Sequence, residues 1–167
     1  MNTTASTVLV VEDDQHDAFF IKRALQKTRP DLSLQFVLDG EQALNYLDGH
    51  SKYADRATYP PPSLIFLDLK LPYFSGFQIL EHIRSNPALA AIPVFVLTSS
   101  PEERDRRHAL ELGARAYLVK PPTPQMLLEV LDPMPAASPK ANRPDSSLVE
   151  STQPALNRTQ RPNPLRR

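Results

Sequence analysis

The feature that most constrains this chain is an alternation of short apolar runs with helical patterns along residues 7–131. The run TVLVV at 7–11 is apolar almost throughout, which is typical of a strand covered on both faces. Strands that alternate with helices form parallel βαβ units with right-handed crossovers. The pattern therefore predicts an α/β fold with five parallel strands and five helices. The predicted strands are 7–11, 34–38, 64–68, 93–97 and 115–119, and the predicted helices are 15–28, 41–49, 76–85, 101–112 and 124–131.

Glycine, proline and capping residues mark the ends of several predicted helices. Gly49 is typical of a residue that ends the second helix, and Pro101 occupies a first-turn position of the fourth. Thr123, followed by a proline, predicts the cap and start of the last helix. The segment 50–63 (HSKYADRATYPPPS) is polar and proline-rich, and it is an unusually long connection for a compact domain.

The composition changes after residue 132. Residues 133–167 contain seven prolines and six basic side chains against two acidic ones, with no glycine and no aromatic residue. Such a segment buries too little apolar surface to offset its ordering entropy, so we predict a disordered, solvated tail and no nucleic-acid partner. The expected organisation is a flexible N-terminus at 1–6, one folded domain at 7–132 and this proline-rich basic tail.

Composition also excludes several classes of function. The chain has no cysteine, which rules out disulfides, thiolate metal sites and cysteine nucleophiles. It has no apolar run close to the roughly 20 residues that span a bilayer. Its N-terminus, MNTTAST, lacks the basic and apolar parts of a signal sequence. We therefore expect a cytoplasmic protein without a membrane partner.

Polar side chains follow four of the predicted strands at the point where each strand ends. In an open parallel sheet the carboxyl ends of the strands meet at one edge, and ligands bind there near the switch point of strand order. This edge would receive carboxylates from the first and third strands, hydroxyls from the fourth and an ammonium group from the fifth. In chain order these residues are Glu12, Asp13, Asp14, Asp68, Thr98, Ser99, Ser100 and Lys120.

This mixture of side chains favours magnesium and phosphoryl chemistry. Carboxylates so close together repel unless a cation lies among them, and Mg²⁺ is typically held by one or two carboxylates together with phosphate oxygens. A carboxylate is also a nucleophile for phosphoryl groups. A phosphoryl group on Asp68 would lie between Mg²⁺, the Thr98 hydroxyl and the Lys120 ammonium, which together position it and neutralise its charge.

Each of these signals has a structural alternative when it is taken alone. Acidic residues after a strand favour the next helix N-terminus, and Thr98 with the two serines after it can serve as a helix cap. A single lysine such as Lys120 is most often solvated, and Asp68 alone is equally well explained as the end of a strand. The functional interpretation depends on all four signals reaching the same edge.

Four motifs make the chain resemble the receiver domain of response regulators, the phosphoacceptor part of two-component signalling. They are LVVEDD at 9–14, LIFLDLKLPYFSG at 64–76, PVFVLTSS at 93–100 and AYLVKPP at 116–122. The resemblance covers about residues 7–131. It implies a flavodoxin-like, doubly wound sheet with strand order 2-1-3-4-5.

The resemblance also implies roles for residues at the sheet edge. The implied ligands of Mg²⁺ are Asp13, Asp68, the backbone carbonyl of Lys70, and Glu12 acting through water. The residues implied to act on the phosphoryl group are Asp68 as acceptor, Thr98 as switch hydroxyl and Lys120 as phosphate-binding lysine, with Tyr117 as switch aromatic.

Three positions depart from the family pattern. Glu12 replaces the commoner aspartate, and its extra methylene suits a contact through water, so Mg²⁺ binding should survive. Lys70 stands where an uncharged polar residue is frequent, and a cation there can alter the lifetime of the acyl phosphate. Ser75 replaces a frequent aspartate and should affect only its loop. As in the family, we expect a cis peptide at Lys120–Pro121.

A subgroup of the family is more similar still. The 50–63 segment, DGEQALNYL and VLTSSPEERD resemble stand-alone regulators paired with bacterial phytochromes, which often form homodimers and lack an output domain. This resemblance implies a phytochrome-type sensor histidine kinase, a downstream protein or phosphotransfer protein, and a second copy of the chain as partners. The protein would be a switch rather than an enzyme, since it catalyses only its own phosphorylation and dephosphorylation.

The implied switch couples phosphorylation to a change of surface. Thr98 would bond a phosphoryl oxygen and move its loop, and Tyr117 would turn inward to fill the vacated space. The surface formed by the fourth helix, fifth strand and fifth helix would then favour a partner.

Two other functions are compatible with parts of the pattern. Asp-nucleophile phosphatases share the strand–Asp geometry but use Asp-x-Asp, and the second position here is Lys70. A receiver-like interaction module that works without phosphorylation would keep the fold, although every site residue type is present here. Turnover of a phosphate ester would favour the first alternative, and failure to bind Mg²⁺ would favour the second.

Overall fold

Five parallel strands form the central sheet of the computed structural model, which describes residues 6–132. The strand order is 2-1-3-4-5, which confirms the predicted fold class and topology. The strands are β1 (Thr7–Val11), β2 (Ser33–Val37), β3 (Leu64–Leu67), β4 (Val94–Thr98) and β5 (Ala116–Val119). The helices are α1 (Gln15–Thr28), α2 (Gly40–Asp48), α3 (Gly76–Ser85), α4 (Glu103–Glu111) and α5 (Pro124–Leu131), with a short 3-10 helix at Ser51–Ala54.

The described range limits two of the predictions. The flexible segment predicted at 1–6, apart from Ser6, and the disordered tail predicted at 133–167 lie outside the described residues. Within 6–132, no helix has both the length and the apolar character needed to cross a membrane.

The three central strands β1, β3 and β4 are apolar without alternation because helices cover both faces of the sheet. Val8 and Val10 of β1 lie in one core with residues of α1 and α5. Leu9 and Val11 lie in the other core with residues of α2, α3 and α4. Burying one such side chain stabilises the fold by roughly 1.5–3 kcal/mol. Both faces therefore hold the strand in place and fix where its last residue points.

The connection at 50–63 packs onto α2, which its polar composition did not predict. The rings of Tyr53 and Tyr59 pack against Tyr46, with centroid separations of 5.1 and 6.1 Å. Arg56 donates hydrogen bonds to the carbonyl groups of Tyr46 and of the residue after it, at 2.8 and 3.0 Å. These carbonyls belong to the last turn of α2, which leaves its carbonyl groups without helical partners. The two tyrosines are the sequence signal for this packing.

The start of α4 corrects the prediction that Pro101 lies in its first turn. The helix begins at Glu103, after the N-cap residue Glu102. The Ser100 hydroxyl accepts a hydrogen bond from the backbone N–H of Glu102 at 3.4 Å, and this contact holds the intervening proline in a non-helical link. Thr98, predicted to follow the fourth strand, is its last residue and pairs with β5.

The guanidinium group of Arg84 connects two loops at the amino ends of β4 and β5. It donates hydrogen bonds to the carbonyl groups of Ala90 and Ile92, which precede β4, and to that of Gly113, which precedes β5, at 2.7 Å. Gly113 has a positive φ of 93°, and a Cβ there would lie 2.7 Å from Arg84 Nε. One side chain thus aligns two neighbouring strands.

Replacing this side chain should destabilise the fold. We expect Arg84→Met to lower the free energy of unfolding by about 2 kcal/mol, because three carbonyl groups lose a charged donor. Urea denaturation followed by circular dichroism measures the loss. The control is Arg23→Met on the exposed face of α1, which should change stability by no more than about 0.5 kcal/mol. Equal losses in both variants would contradict the assigned role.

Candidate functional site

The carboxyl ends of four strands bring the predicted site residues to one edge of the sheet. Glu12 follows β1, Asp68 follows β3, Thr98 ends β4 and Lys120 follows β5. Strands β2 and β3 flank β1 on opposite sides, so the switch point of strand order lies beside β1. Open α/β sheets bind their ligands at this position.

Three carboxylates form an acidic cluster at this point. One oxygen from each of Glu12, Asp13 and Asp68 lies within 4.8 Å of the others. Glu12 and Asp68 are buried, whereas Asp13 is exposed. Burial raises the pKa of Glu12 above its ordinary value, and the nearby Lys120 only partly opposes this shift. The cluster therefore concentrates negative charge that a cation would stabilise.

The third acidic residue of the EDD motif caps a helix. Asp14 Oδ1 accepts hydrogen bonds from the backbone N–H groups of His16 and Asp17, at 2.8 and 3.0 Å. The bonds from Asp17 and His16 lower the pKa of Asp14. The structural alternative thus explains Asp14, which is the N-cap residue of α1 and not a member of the acidic cluster.

The ammonium group of Lys120 lies among carboxylates. Its Nζ is 2.8 Å from Asp68 Oδ2, 2.5 Å from Glu12 Oε2 and 3.0 Å from Asp17 Oδ2. Burial opposes its positive charge, but the contacts with Asp68 and Glu12 outweigh burial and raise the pKa of Lys120. Lys120 is therefore charged at neutral pH. The peptide bond that joins it to Pro121 is cis, as the resemblance implied.

Asp17 is a member of this arrangement that the sequence pattern did not predict. It lies in the first turn of α1, and its contact with Lys120 connects positions 103 residues apart. An acidic residue in a first turn is already explained by the helix dipole. The sequence did contain one indication that Asp17 lies near the site, because its helix starts directly after the EDD motif.

The residues present fit a hard divalent cation. Glu12 Oε2 is buried and, among residues 6–132, receives no hydrogen bond of normal geometry despite its ion pair with Lys120. A buried acceptor with a free lone pair suits a water molecule bound to a metal. The backbone N–H of Lys70 donates to Asp68 Oδ1 at 3.2 Å, and the Lys70 side chain is exposed. The carboxylate oxygens of Glu12, Asp13 and Asp68 are ligands of the kind that Mg²⁺ and Mn²⁺ prefer.

The two predicted switch residues are buried next to each other in β4 and β5. Thr98 is 0% exposed, and its Oγ1 accepts a hydrogen bond from the backbone N–H of Ser100 at 3.4 Å. The Tyr117 hydroxyl donates to the Ser100 carbonyl at 2.8 Å, and the Ser100 hydroxyl donates to Asp105 of α4 at 2.7 Å. Burial raises the pKa of Tyr117. The Tyr117 ring is buried and lies inward, which is the position that the resemblance implies for the switched form.

Helix α3 begins directly against the backbone of Asp68 because Gly76 has no side chain. A Cβ there would lie 2.2 Å from the carbonyl oxygen of Asp68 and 2.7 Å from Leu69 Cα. Ser75 and Gln78 form a capping box, so the serine that departs from the family pattern still caps the helix. The close approach fixes the loop that follows Asp68.

The fold, the acidic cluster and the buried lysine define the receiver class of signalling domains. A profile of the response regulator receiver domain matches residues 8–132. The chain therefore belongs to the response regulator receiver family.

The chain has relatives among single response regulators. The response regulator Rcp1 of Synechocystis sp. is 37% identical over 113 residues, which are 68% of this chain and 75% of Rcp1. The crystal structure of its Mn²⁺-bound form has a TM-score of 0.65 at 34% identity, and the match covers 76% of this chain and 90% of that chain.

Two further solved structures extend the likeness. The phosphorylated cyanobacterial phytochrome response regulator RcpA has a TM-score of 0.67 at 34% identity, covering 76% of this chain and 89% of that chain. The bacteriophytochrome response regulator RtBRR has a TM-score of 0.71 at 35% identity, and the match covers 86% of each chain. The predicted similarity to phytochrome-associated regulators is confirmed.

The close approach at Gly76 generates a test of the site's geometry. Alanine normally stabilises a helix by about 1 kcal/mol relative to glycine. We expect Gly76→Ala instead to destabilise the protein by about 1–3 kcal/mol, because the added methyl group meets backbone atoms. Thermal and urea unfolding measure the sign, with Glu81→Ala on the exposed face of α3 as control. A gain of stability in Gly76→Ala would refute the close packing.

Proposed function

We propose that this protein is a phosphorylation switch in which Asp68 accepts a phosphoryl group from the phosphohistidine of a sensor histidine kinase. A carboxylate oxygen of Asp68 attacks phosphorus, the N–P bond breaks, and its electron pair stays on the imidazole. The observation that carries the proposal is the Lys120 ammonium held between Glu12 and Asp68. It supplies positive charge where the phosphoryl oxygens would lie.

The proposed cofactor is Mg²⁺. Asp13, Asp68 and the backbone carbonyl of Lys70 would hold the cation, and Glu12 would contact it through water. When bound, Mg²⁺ neutralises charge on the phosphoryl oxygens. The acidic cluster and the Mn²⁺-bound form of Rcp1 support a divalent cation at this position.

The proposed switch uses the buried pair at the ends of β4 and β5. Thr98 would donate its hydroxyl hydrogen to a phosphoryl oxygen and so shift the loop that contains Ser100. Since Tyr117 and Asp105 both bond Ser100, this shift would reach β5 and α4 together. Phosphorylation would then act by stabilising the inward position of the Tyr117 ring.

The likeness to RtBRR and RcpA supports a phytochrome-type kinase as the donor. The further partners that we propose are a downstream protein or phosphotransfer protein and a second copy of this chain, all in the cytoplasm. The protein would serve as the substrate of phosphoryl transfer and would catalyse only the gain and loss of its own phosphoryl group.

Phosphorylation can be tested without knowing the kinase. Incubation with acetyl phosphate and Mg²⁺ should add one phosphoryl group to the wild type, measured by intact-mass spectrometry. Asp68→Asn, which has nearly the same shape but lacks the nucleophilic carboxylate, should remain unmodified. Equal phosphorylation of both proteins would place the acceptor elsewhere, and no modification of the wild type would support an interaction module that works without phosphorylation.

Two variants at neighbouring positions, Asp13→Asn and Asp14→Asn, test whether Asp13 binds the metal directly. Asp13→Asn should weaken Mg²⁺ binding about tenfold or more, equivalent to roughly 1.4 kcal/mol, because it removes a charged ligand. Asp14→Asn removes the same charge one residue away and keeps a good N-cap side chain, so its effect should be smaller. Isothermal titration calorimetry measures both. Equal effects would mean that general electrostatics, rather than direct coordination, explains the binding.

A further inference from the structure

Three carboxylates surround the Lys120 ammonium in this structure. Three carboxylate oxygens, from Asp68, Glu12 and Asp17, lie within 3.0 Å of its Nζ. An ammonium group has three hydrogens to donate and accepts none. Asp68 and Asp17 each accept one of these hydrogens, and Glu12 Oε2 occupies the remaining side of the ammonium group as a close ion pair. A phosphoryl oxygen on Asp68 can therefore come close to Lys120 only if one of the present contacts is released.

The burial of the three carboxylates identifies the contact that yields. The side chain of Asp17 is 41% exposed, whereas those of Glu12 and Asp68 are 1% and 6% exposed. A carboxylate that is released inside the protein stays unpaired and destabilises it strongly. An exposed carboxylate regains water on release and loses little free energy. Asp17 is therefore the partner that can leave with the smallest loss.

We infer that Asp17 is a positioning residue that holds Lys120 beside Asp68 and gives way when Asp68 carries a phosphoryl group. This inference rests on the proposed function of Asp68. Asp17 is well placed for such a role because its own backbone N–H is fixed by the N-cap Asp14 at 3.0 Å. Its side chain thus starts from a rigid point while its carboxylate remains in contact with water.

Because the Asp17 carboxylate must leave Lys120 before a phosphoryl oxygen can take its place, Asp17 also weakens the binding of the phosphoryl group. The Asp17 carboxylate competes with phosphoryl oxygens for the same ammonium hydrogen and adds like charge near them. Asparagine at position 17 would keep the size of the side chain but remove its charge, and its amide oxygen would hold that hydrogen only weakly. Phosphoryl-like anions should then bind Asp68 more tightly, although a contact of Lys120 has been weakened.

Beryllium fluoride, which binds aspartate carboxylates in the shape of a phosphoryl group, provides the test. We expect Asp17→Asn to bind it about fivefold more tightly than the wild type at saturating Mg²⁺, since a partly exposed ion pair of up to about 1 kcal/mol no longer competes. The bound fluoride signal in ¹⁹F NMR titrations measures the affinity. Asp17→Glu, which keeps the charge, should restore binding toward the wild-type value.

Asp14→Asn is the matched control because it removes an equal charge from the same helix end without touching Lys120. Its beryllium fluoride affinity should stay within about twofold of the wild type, as expected for an exposed charge without direct contact. Unchanged or weaker binding in Asp17→Asn would overturn the inference, as would an equal gain in Asp14→Asn. If the wild type itself failed to bind beryllium fluoride, the proposed function of Asp68 would fall and the inference with it.

Discussion

The contact between Lys120 and two buried carboxylates is the interaction on which the rest of the site depends. Glu12 and Asp68 directly follow neighbouring strands of a sheet that is covered on both faces, so little water separates their charges. Two such carboxylates would repel each other without a cation between them. Lys120 provides that cation from β5, at the far side of β4. The site therefore exists only when the whole sheet from β1 to β5 is assembled.

Much of this arrangement could be predicted because it follows from strand ends. A strand buried on both faces is apolar along its length, and the first charged residue after it marks the edge of the sheet. Asp68 and Lys120 were found in this way, and the strand order then placed them together. The requirement for glycine at position 76 could not be predicted in this way. It arises because α3 approaches the backbone of Asp68 too closely for a side chain.

The features that sequence did not predict depend on contacts between distant segments. Asp17 follows a local rule for helix ends, and only the folded chain shows that its carboxylate meets Lys120. The segment 50–63 has a polar composition, yet Tyr53 and Arg56 attach it to α2. The inward position of Tyr117 likewise depends on the exact placement of one backbone carbonyl in the β4–α4 loop. Local patterns contain no information on such partners.

Ser100 joins the site to the surface through two different atoms. Its carbonyl oxygen accepts a hydrogen bond from Tyr117 of β5, and its hydroxyl donates one to Asp105 of α4. A displacement of this single residue changes both hydrogen bonds at once, so the ring and the helix share one degree of freedom. A protein that binds over α4 and another that binds over β5 would therefore receive the same information. The hydrogen bonds of Ser100 to Tyr117 and Asp105 therefore cannot change independently when Ser100 moves.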